Sequence, residues 1–220
     1  MAADPATFKR FCGLIELNLE PWQDRIVNEF YSPRRESLFL IPRGNGKTAL
    51  LAALGLFELL ADPAAVIVCA AATREQALHL FDAARKFALR SESIRSRLTI
   101  TRRELRTASE GRLTVVAADA EKQLGWDPTL VLVDELCAHR DDSLYVSLRT
   151  ALVKRPSARL VTISTAGIVG DGPLAELRKR CLGQEHVVRD GTLTEARGPN
   201  LGMLEWALPD EWPLDRAVEA

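Results

Sequence analysis

Cysteine is scarce in this chain: Cys12, Cys69, Cys137 and Cys181 are the only four among 220 residues, and no two have CxxC spacing. This usage argues against a disulfide framework or a zinc site, and a reducing, cytoplasmic setting fits it best. The 13 glycines and 11 prolines are spread along the chain, which excludes collagen-like and low-complexity classes. An excess of charge of one sign is also lacking. With 29 basic against 30 acidic residues the net charge is -1, which excludes a histone-like binder and an acidic disordered tail, so any DNA contact must be a local patch. No apolar run approaches the ~20 residues that cross a bilayer; the most apolar helical stretch, Ala49 to Ala61, is short and carries Glu58. Met1 to Arg10 has no basic-then-apolar export layout, and no internal repeat is visible. His79, His139 and His186 share no metal-site spacing and read as structural.

What is present suits one folded core. Hydrophobic residues make up 47% and charged residues 27% of a length typical of a single domain. The short run Ser37 to Pro42, with Leu38 to Ile41 apolar, predicts a strand, the Gly-rich segment Arg43 to Thr48 a loop, and Ala49 to Leu60 a helix that is apolar almost all round and so deeply buried. Ala64 to Ala71 predicts a strand whose Val66, Ile67 and Val68 are continuous, as in a parallel sheet covered on both faces. Thr73 and Gln76 have capping-box spacing and open an amphipathic helix to about Leu89. Three short strands follow, Leu98 to Thr101, Glu104 to Thr107 and Leu113 to Ala117, with a hairpin signal at Glu110-Gly111. Thr129 to Val133 is a further buried strand. Asp141 to Ser143 cap a helix to about Leu152, Ala158 to Ser164 is a core strand, and Pro173 opens a helix to about Cys181. Weak strand signals near His186 to Val188 and Leu204 to Leu208 suggest a small lid or appendage. The fold class is α/β: a mostly parallel, doubly wound sheet flanked by helices.

A strand that feeds a Gly-rich loop and then a helix aims free backbone N–H groups and the helix dipole at one point, which favours a polyphosphate. In Arg43-Gly44-Asn45-Gly46-Lys47-Thr48, Lys47 would reach the β- and γ-phosphates and Thr48 would supply a hydroxyl to Mg²⁺. The general pattern G-x-x-x-x-G-K-[ST] has its first Gly replaced by Ile41. Asp134 and Glu135 end an apolar strand and would stand at the same sheet edge as the loop, Asp134 for Mg²⁺ and Glu135 to polarise an attacking water. An acidic pair standing alone would read as a solvated turn. Gln23, after Pro21 and Trp22, offers the donor and acceptor that adenine's edge requires, with Trp22 beside it as a second candidate; the competing reading packs Trp22 on the core and leaves Gln23 exposed. Ser164 and Thr165 end another core strand, followed by Ala166-Gly167, and would sense the γ-phosphate; a hydrogen-bonded strand-end turn explains them equally well.

With Pro-Trp-Gln, RGNGKT, VLVDE and ISTAG in that order, the chain resembles the ATPase domain of the large terminase subunit of tailed bacteriophages, over about Leu19 to Gly167 and more weakly to Asp215. Arg43 directly before Gly44, in a loop that lacks its first Gly, is the most specific feature. The resemblance implies an ASCE-type P-loop fold, MgATP hydrolysis, and a ring motor on the portal protein that drives double-stranded DNA into a procapsid in the host cytoplasm, together with a small terminase subunit. It implies Trp22 and Gln23 at adenine, Arg43 to Thr48 at the phosphates, Thr48 and Asp134 at Mg²⁺, Glu135 as the catalytic carboxylate, and Ser164 and Thr165 as the coupling motif. It also implies a charge-stabilising arginine, either Arg43 in the same chain or one from a neighbour. The segment where some relatives carry the neighbour's arginine is Ala120 to Gly125 here, and its only cation is Lys122, which cannot mimic a planar guanidinium.

Residues 1–170 are expected to form the ATPase core and 171–220 a lid or linker region, with the C-terminal nuclease domain of full-length relatives absent and no DNA cleavage. From Arg95 to Arg112 six arginines, among them Arg102, Arg103 and Arg106, face only Glu104 and Glu110. They are candidates for contact with DNA phosphates or a neighbouring subunit, against a plain solvated hairpin face. The alternatives to a packaging motor are a helicase-type translocase and an ATP-binding assembly switch without hydrolysis.

Overall fold

The structure, a computed structural model, describes residues 3–117, 127–166 and 172–207. The segment Ala120 to Gly125 with Lys122, Gly167, and the prolines near the C-terminus lie outside the described residues.

Ten strands among these residues form one sheet: β1 (Glu36–Leu40), β2 (Val66–Ala71), β3 (Leu98–Ile100), β4 (Glu104–Thr107), β5 (Arg112–Ala117), β6 (Leu130–Asp134), β7 (Arg159–Ser164), β8 (His186–Asp190), β9 (Leu193–Arg197) and β10 (Leu201–Trp206). Their order is β3-β4-β5-β2-β6-β7-β1-β10-β9-β8. The central run from β5 to β10 is parallel throughout, and an antiparallel pair extends it at each end. Strands β1 and β6 are buried along their whole length, the burial that continuous apolar runs predict.

Helices cover both faces. On one lie α1 (Pro5–Leu14), α2 (Pro21–Phe30), α3 (Lys47–Ala61) and α4 (Arg74–Arg90), with Phe8, Phe30, Phe57 and Phe81 in a single core beside Phe39 of β1. On the other lie α6 (Ser143–Ala151) and α7 (Gly172–Leu182), packed on Leu38, Val131 and Leu160; the single-turn α5 (Glu92–Arg95) precedes β3. No helix among the described residues is long and apolar enough to cross a membrane. Thr73 does cap α4, accepting from the Gln76 N–H while the Gln76 side chain accepts from the Thr73 N–H. Two polar clusters tie helices to the sheet. Arg159 of β7 donates to Glu58 of α3 and to the Phe30 carbonyl of α2, with its guanidinium 4.2 Å from the Phe30 ring centre. Glu36, buried at the start of β1, accepts from Tyr145 and Arg149 of α6 and from Arg180 of α7. Burial would raise the Glu36 carboxyl pKa, but the bonds from Arg180 and Tyr145 outweigh it and hold it below the usual value.

Among the described residues, the stretch 186–206 is not an appendage. Strands β8 to β10 continue the main sheet, and β10 lies parallel to β1 with Leu38 opposite Met203. Buried Met203 and Leu204 supply the apolar face that makes this possible.

Candidate nucleotide site

The site forms where three neighbouring strands, β6, β7 and β1, end at one edge of the sheet. Beyond β1 the chain turns through Arg43 to Gly46 into α3. Gly44 and Gly46 have φ of +83° and +66°, a left-handed conformation that glycine adopts at no steric cost. These turns leave backbone N–H groups free at the head of a 15-residue helix. Asn45 closes the loop by donating to the Pro42 and Arg43 carbonyls, both at 3.2 Å.

Lys47 is buried, and its ammonium folds back on the loop, donating to the Pro42 carbonyl at 3.0 Å and the Ile41 carbonyl at 3.3 Å. It also stands 3.6 Å from Glu135 Oε1. Thr48, one residue on, donates from Oγ1 to Asp134 Oδ2 at 3.0 Å. Asp134 is only 5% exposed, and burial pushes its carboxyl up to about 6, although the Thr48 bond pulls the other way. Its second oxygen, Oδ1, is buried with no hydrogen-bond partner. An unsatisfied carboxylate oxygen beside a threonine hydroxyl is a hard oxygen donor set that fits a magnesium ion.

Glu135 has φ of +50°, a strained conformation for a residue with a side chain. That turn sends its carboxylate across to the end of β7. Oε2 accepts from the Thr165 N–H at 2.9 Å, the Thr165 hydroxyl at 3.0 Å, the Cys137 thiol at 3.4 Å and the Ser164 hydroxyl at 3.5 Å. Burial would raise this carboxyl pKa, but the Thr165 and Cys137 donors and the Lys47 charge keep it below the ordinary value.

The cleft over the loop, about 410 Å³, is lined by Arg43 to Ala49, Gln76, Glu135, Cys137 and Ala138. Arg43 is exposed on its rim. A larger groove of about 790 Å³, between α6 and α7, shares no residue with it.

Gln23 is buried rather than exposed, and its amide nitrogen lies 3.8 Å from where a Cβ on Gly46 would stand, directly against the loop. Its carbonyl accepts from the Glu20 N–H at 2.9 Å as part of the α2 cap, so only its donor half is free to face a ligand. Trp22 instead meets Trp206 of β10 edge to face at 5.6 Å and packs on the core. In the basic segment, Arg106 is paired with Glu104 and Glu110, whereas Arg102 and Arg103 stand exposed at the β3–β4 turn. Gln76 and Cys137 were not legible as site residues: the first reads as a helix cap, and the second as a small apolar residue after a strand.

The family model described as terminase large subunit, ATPase domain, matches residues 21–182. Among curated proteins none matches the chain. Among solved structures, the large terminase of bacteriophage HK97 superposes with a TM-score of 0.76 at 19% identity, over 96% of this chain and 46% of that one. The chain thus spans about half the length of that relative. A mutant of the large terminase ATPase domain of Thermus phage P74-26 gives 0.71 at 18% identity, covering 96% of this chain and 89% of that one. The N-terminal domain of the DNA packaging ATPase from bacteriophage phi29 gives 0.57 at 10% identity, over 89% and 98%. At these identities the structures speak for a shared fold, a mostly parallel sheet flanked by helices. The sequence match runs from the first residue of α2 to the last of α7, and on that extent the chain belongs to the family of terminase large subunit ATPase domains.

Proposed function

We propose that this domain hydrolyses MgATP to drive double-stranded DNA into a phage procapsid. The observation that carries the reading is the convergence of Lys47, Thr48, Asp134, Glu135 and Thr165 at the ends of three adjacent strands, with Thr48 and Asp134 already in hydrogen-bond contact. The free N–H groups of Gly44 to Thr48 would take the β- and γ-phosphates, and Lys47 would leave the Ile41 and Pro42 carbonyls for them. Gln23 would donate to the adenine ring, with Trp22 behind it. Thr48 and Asp134 would hold Mg²⁺, which when bound neutralises charge on the transferred phosphoryl group.

Glu135 would orient the attacking water and accept its proton. Its low pKa keeps it ionised for that role at neutral pH. Ser164 and Thr165, bonded to the same carboxylate, would link the hydrolytic state to β7. Arg43 on the rim, or an arginine from another copy, would stabilise the transition state. The partners that follow from this reading are double-stranded DNA, a portal protein, a small terminase subunit and further copies in a ring, in the host cytoplasm.

Steady-state MgATP hydrolysis across a wide range of chain concentration, with Glu135→Gln as control, tests the reading. Turnover should fall about 100-fold or more in the variant while ATP binding persists; equal turnover in the two proteins would overturn it. Turnover per chain that rises with concentration would assign the arginine to a neighbour, and constant turnover would assign it to Arg43.

A further inference from the structure

Cys137 has no part in the chemistry above, yet it lies at its centre. It follows Glu135 by two residues, lines the cleft over the phosphate loop, and is half-buried, whereas Cys12, Cys69 and Cys181 are buried in the core. Its thiol lies 3.4 Å from Glu135 Oε2 and 3.4 Å from Thr165 Oγ1. Its backbone N–H donates to Ser164 Oγ at 3.2 Å. One residue therefore touches the carboxylate and both hydroxyls that end β7. Glu135 needs such support because its own backbone is in a left-handed conformation, so its side chain is aimed by contacts and not by a relaxed strand geometry.

The contacts also share the work unequally. Thr165 grips Glu135 Oε2 from its N–H and its hydroxyl, both on the β7 side. Cys137 comes from the Glu135 side of the cleft, in the short helical turn Leu136–Ala138, and its thiol donates to the carboxylate while its sulfur lies beside the Thr165 hydroxyl. Removing the thiol leaves Oε2 held only by donors at the end of β7.

We infer that Cys137 is a positioning residue for hydrolysis, its thiol fixing the Glu135 carboxylate between the phosphate loop and Thr165. The inference rests on the proposed role of Glu135. Cys137→Ala should lower kcat about three- to tenfold, the net worth of one ordinary hydrogen bond, since a thiol is a weak donor. KM, ATP affinity and melting temperature should stay near wild type, because the thiol is outside the phosphate loop and only packs against the margin of the core. Cys137→Ser, which restores a donor of similar size, should recover most of the rate.

Turnover of the wild-type chain beside Glu135→Gln, Cys137→Ala and Cys137→Ser separates the two claims. If Glu135→Gln is as active as wild type, the hydrolytic role of Glu135 fails. If Glu135→Gln is inactive but Cys137→Ala keeps the wild-type kcat, or if Ala and Ser lose rate equally, the positioning role fails. A second readout needs no turnover: the rate at which iodoacetamide labels Cys137, followed by peptide mass spectrometry. In Glu135→Ala the thiol loses its acceptor, and labelling should quicken about threefold or more relative to wild type; equal rates would overturn the inference.

Discussion

Thr48 Oγ1 and Asp134 Oδ2 are joined by a 3.0 Å hydrogen bond that links the first turn of α3 to the last residue of β6. Thr48 is one donor to a carboxylate that is otherwise short of them: burial pushes Asp134 up to about 6 from an ordinary 3.8, and its Oδ1 has no partner. The domain without ligand therefore holds an acid that resists ionisation where a cation is expected.

Stability should follow that acid. A carboxyl whose pKa is raised on folding contributes stability that is complete below the unfolded value near 3.8 and is lost as pH rises through about 6. By the linkage relation the loss by pH 8 is on the order of 3 kcal/mol. Asp134→Asn should raise the melting temperature of the ligand-free domain at pH 8 and leave it nearly unchanged at pH 4, while abolishing Mg²⁺-dependent hydrolysis. Thermal melts at the two pH values, with hydrolysis in parallel, check this.

Metal affinity should carry the opposite signature. A cation must displace the proton on Asp134, so Mg²⁺ binding should weaken about tenfold per pH unit below about 6 and level off above it. Titration calorimetry with Mg²⁺ and a non-hydrolysable ATP analogue from pH 5 to 8 would measure this.

Lys47→Ala should weaken ATP binding about 10- to 100-fold, the worth of a charge-assisted bond to phosphate. Its ammonium now rests on the Ile41 and Pro42 carbonyls, so the fold should survive its loss. A fluorescent ATP analogue gives the affinity, and a melt gives the stability.

Two glycines should respond in opposite senses. A Cβ on Gly111 would lie 2.2 Å from the Pro63 carbonyl oxygen, a backbone atom, so Gly111→Ala should cost about 1–3 kcal/mol or more. A Cβ on Gly13, inside α1, meets nothing within 4 Å, and Gly13→Ala should stabilise by about 0.5–1 kcal/mol through helix propensity. Denaturant unfolding of the two variants would show the contrast.

Most of the sheet was legible because parallel strands buried on both faces write continuous apolar runs. The strand predicted over Ala158 to Ser164 is Arg159–Ser164, and that over Thr129 to Val133 is Leu130–Asp134. The segment Leu193–Arg197 was missed, since Thr194, Glu195 and Arg197 leave it no apolar run, and its hairpin partner β8, the edge strand, is exposed throughout. Helix α1 was also passed over, although Asp4 caps it and Pro5 opens it. At the site, chain order located the loop and the acidic pair because their spacing is local. The Cys137 and Gln76 positions were hidden because they depend on which strands end side by side, which no short window of sequence records.

Arg102 and Arg103 carry a separate expectation. Neither has an ion-pair partner among the described residues, whereas Arg106 is held by Glu104 and Glu110. If they meet DNA phosphates, replacing both with Ala should weaken DNA binding uniformly across sequences and reduce the salt slope by about 2. Filter binding at several salt concentrations gives both quantities, and replacing Arg106 serves as the comparison.

Strand order sets a limit on what those two arginines can reach. The register of β3, β4 and β5 points their turn toward the same sheet edge as the phosphate loop. Yet β4, the nearer strand of that turn, and β1 are five places apart, a span of about 24 Å at the usual spacing of strands. An arginine side chain bridges only a small part of that gap, so neither Arg102 nor Arg103 reaches the phosphate loop of its own chain. If either ever touches the phosphates bound at such a loop, that loop belongs to another copy, and the width of the sheet makes that contact a report on assembly.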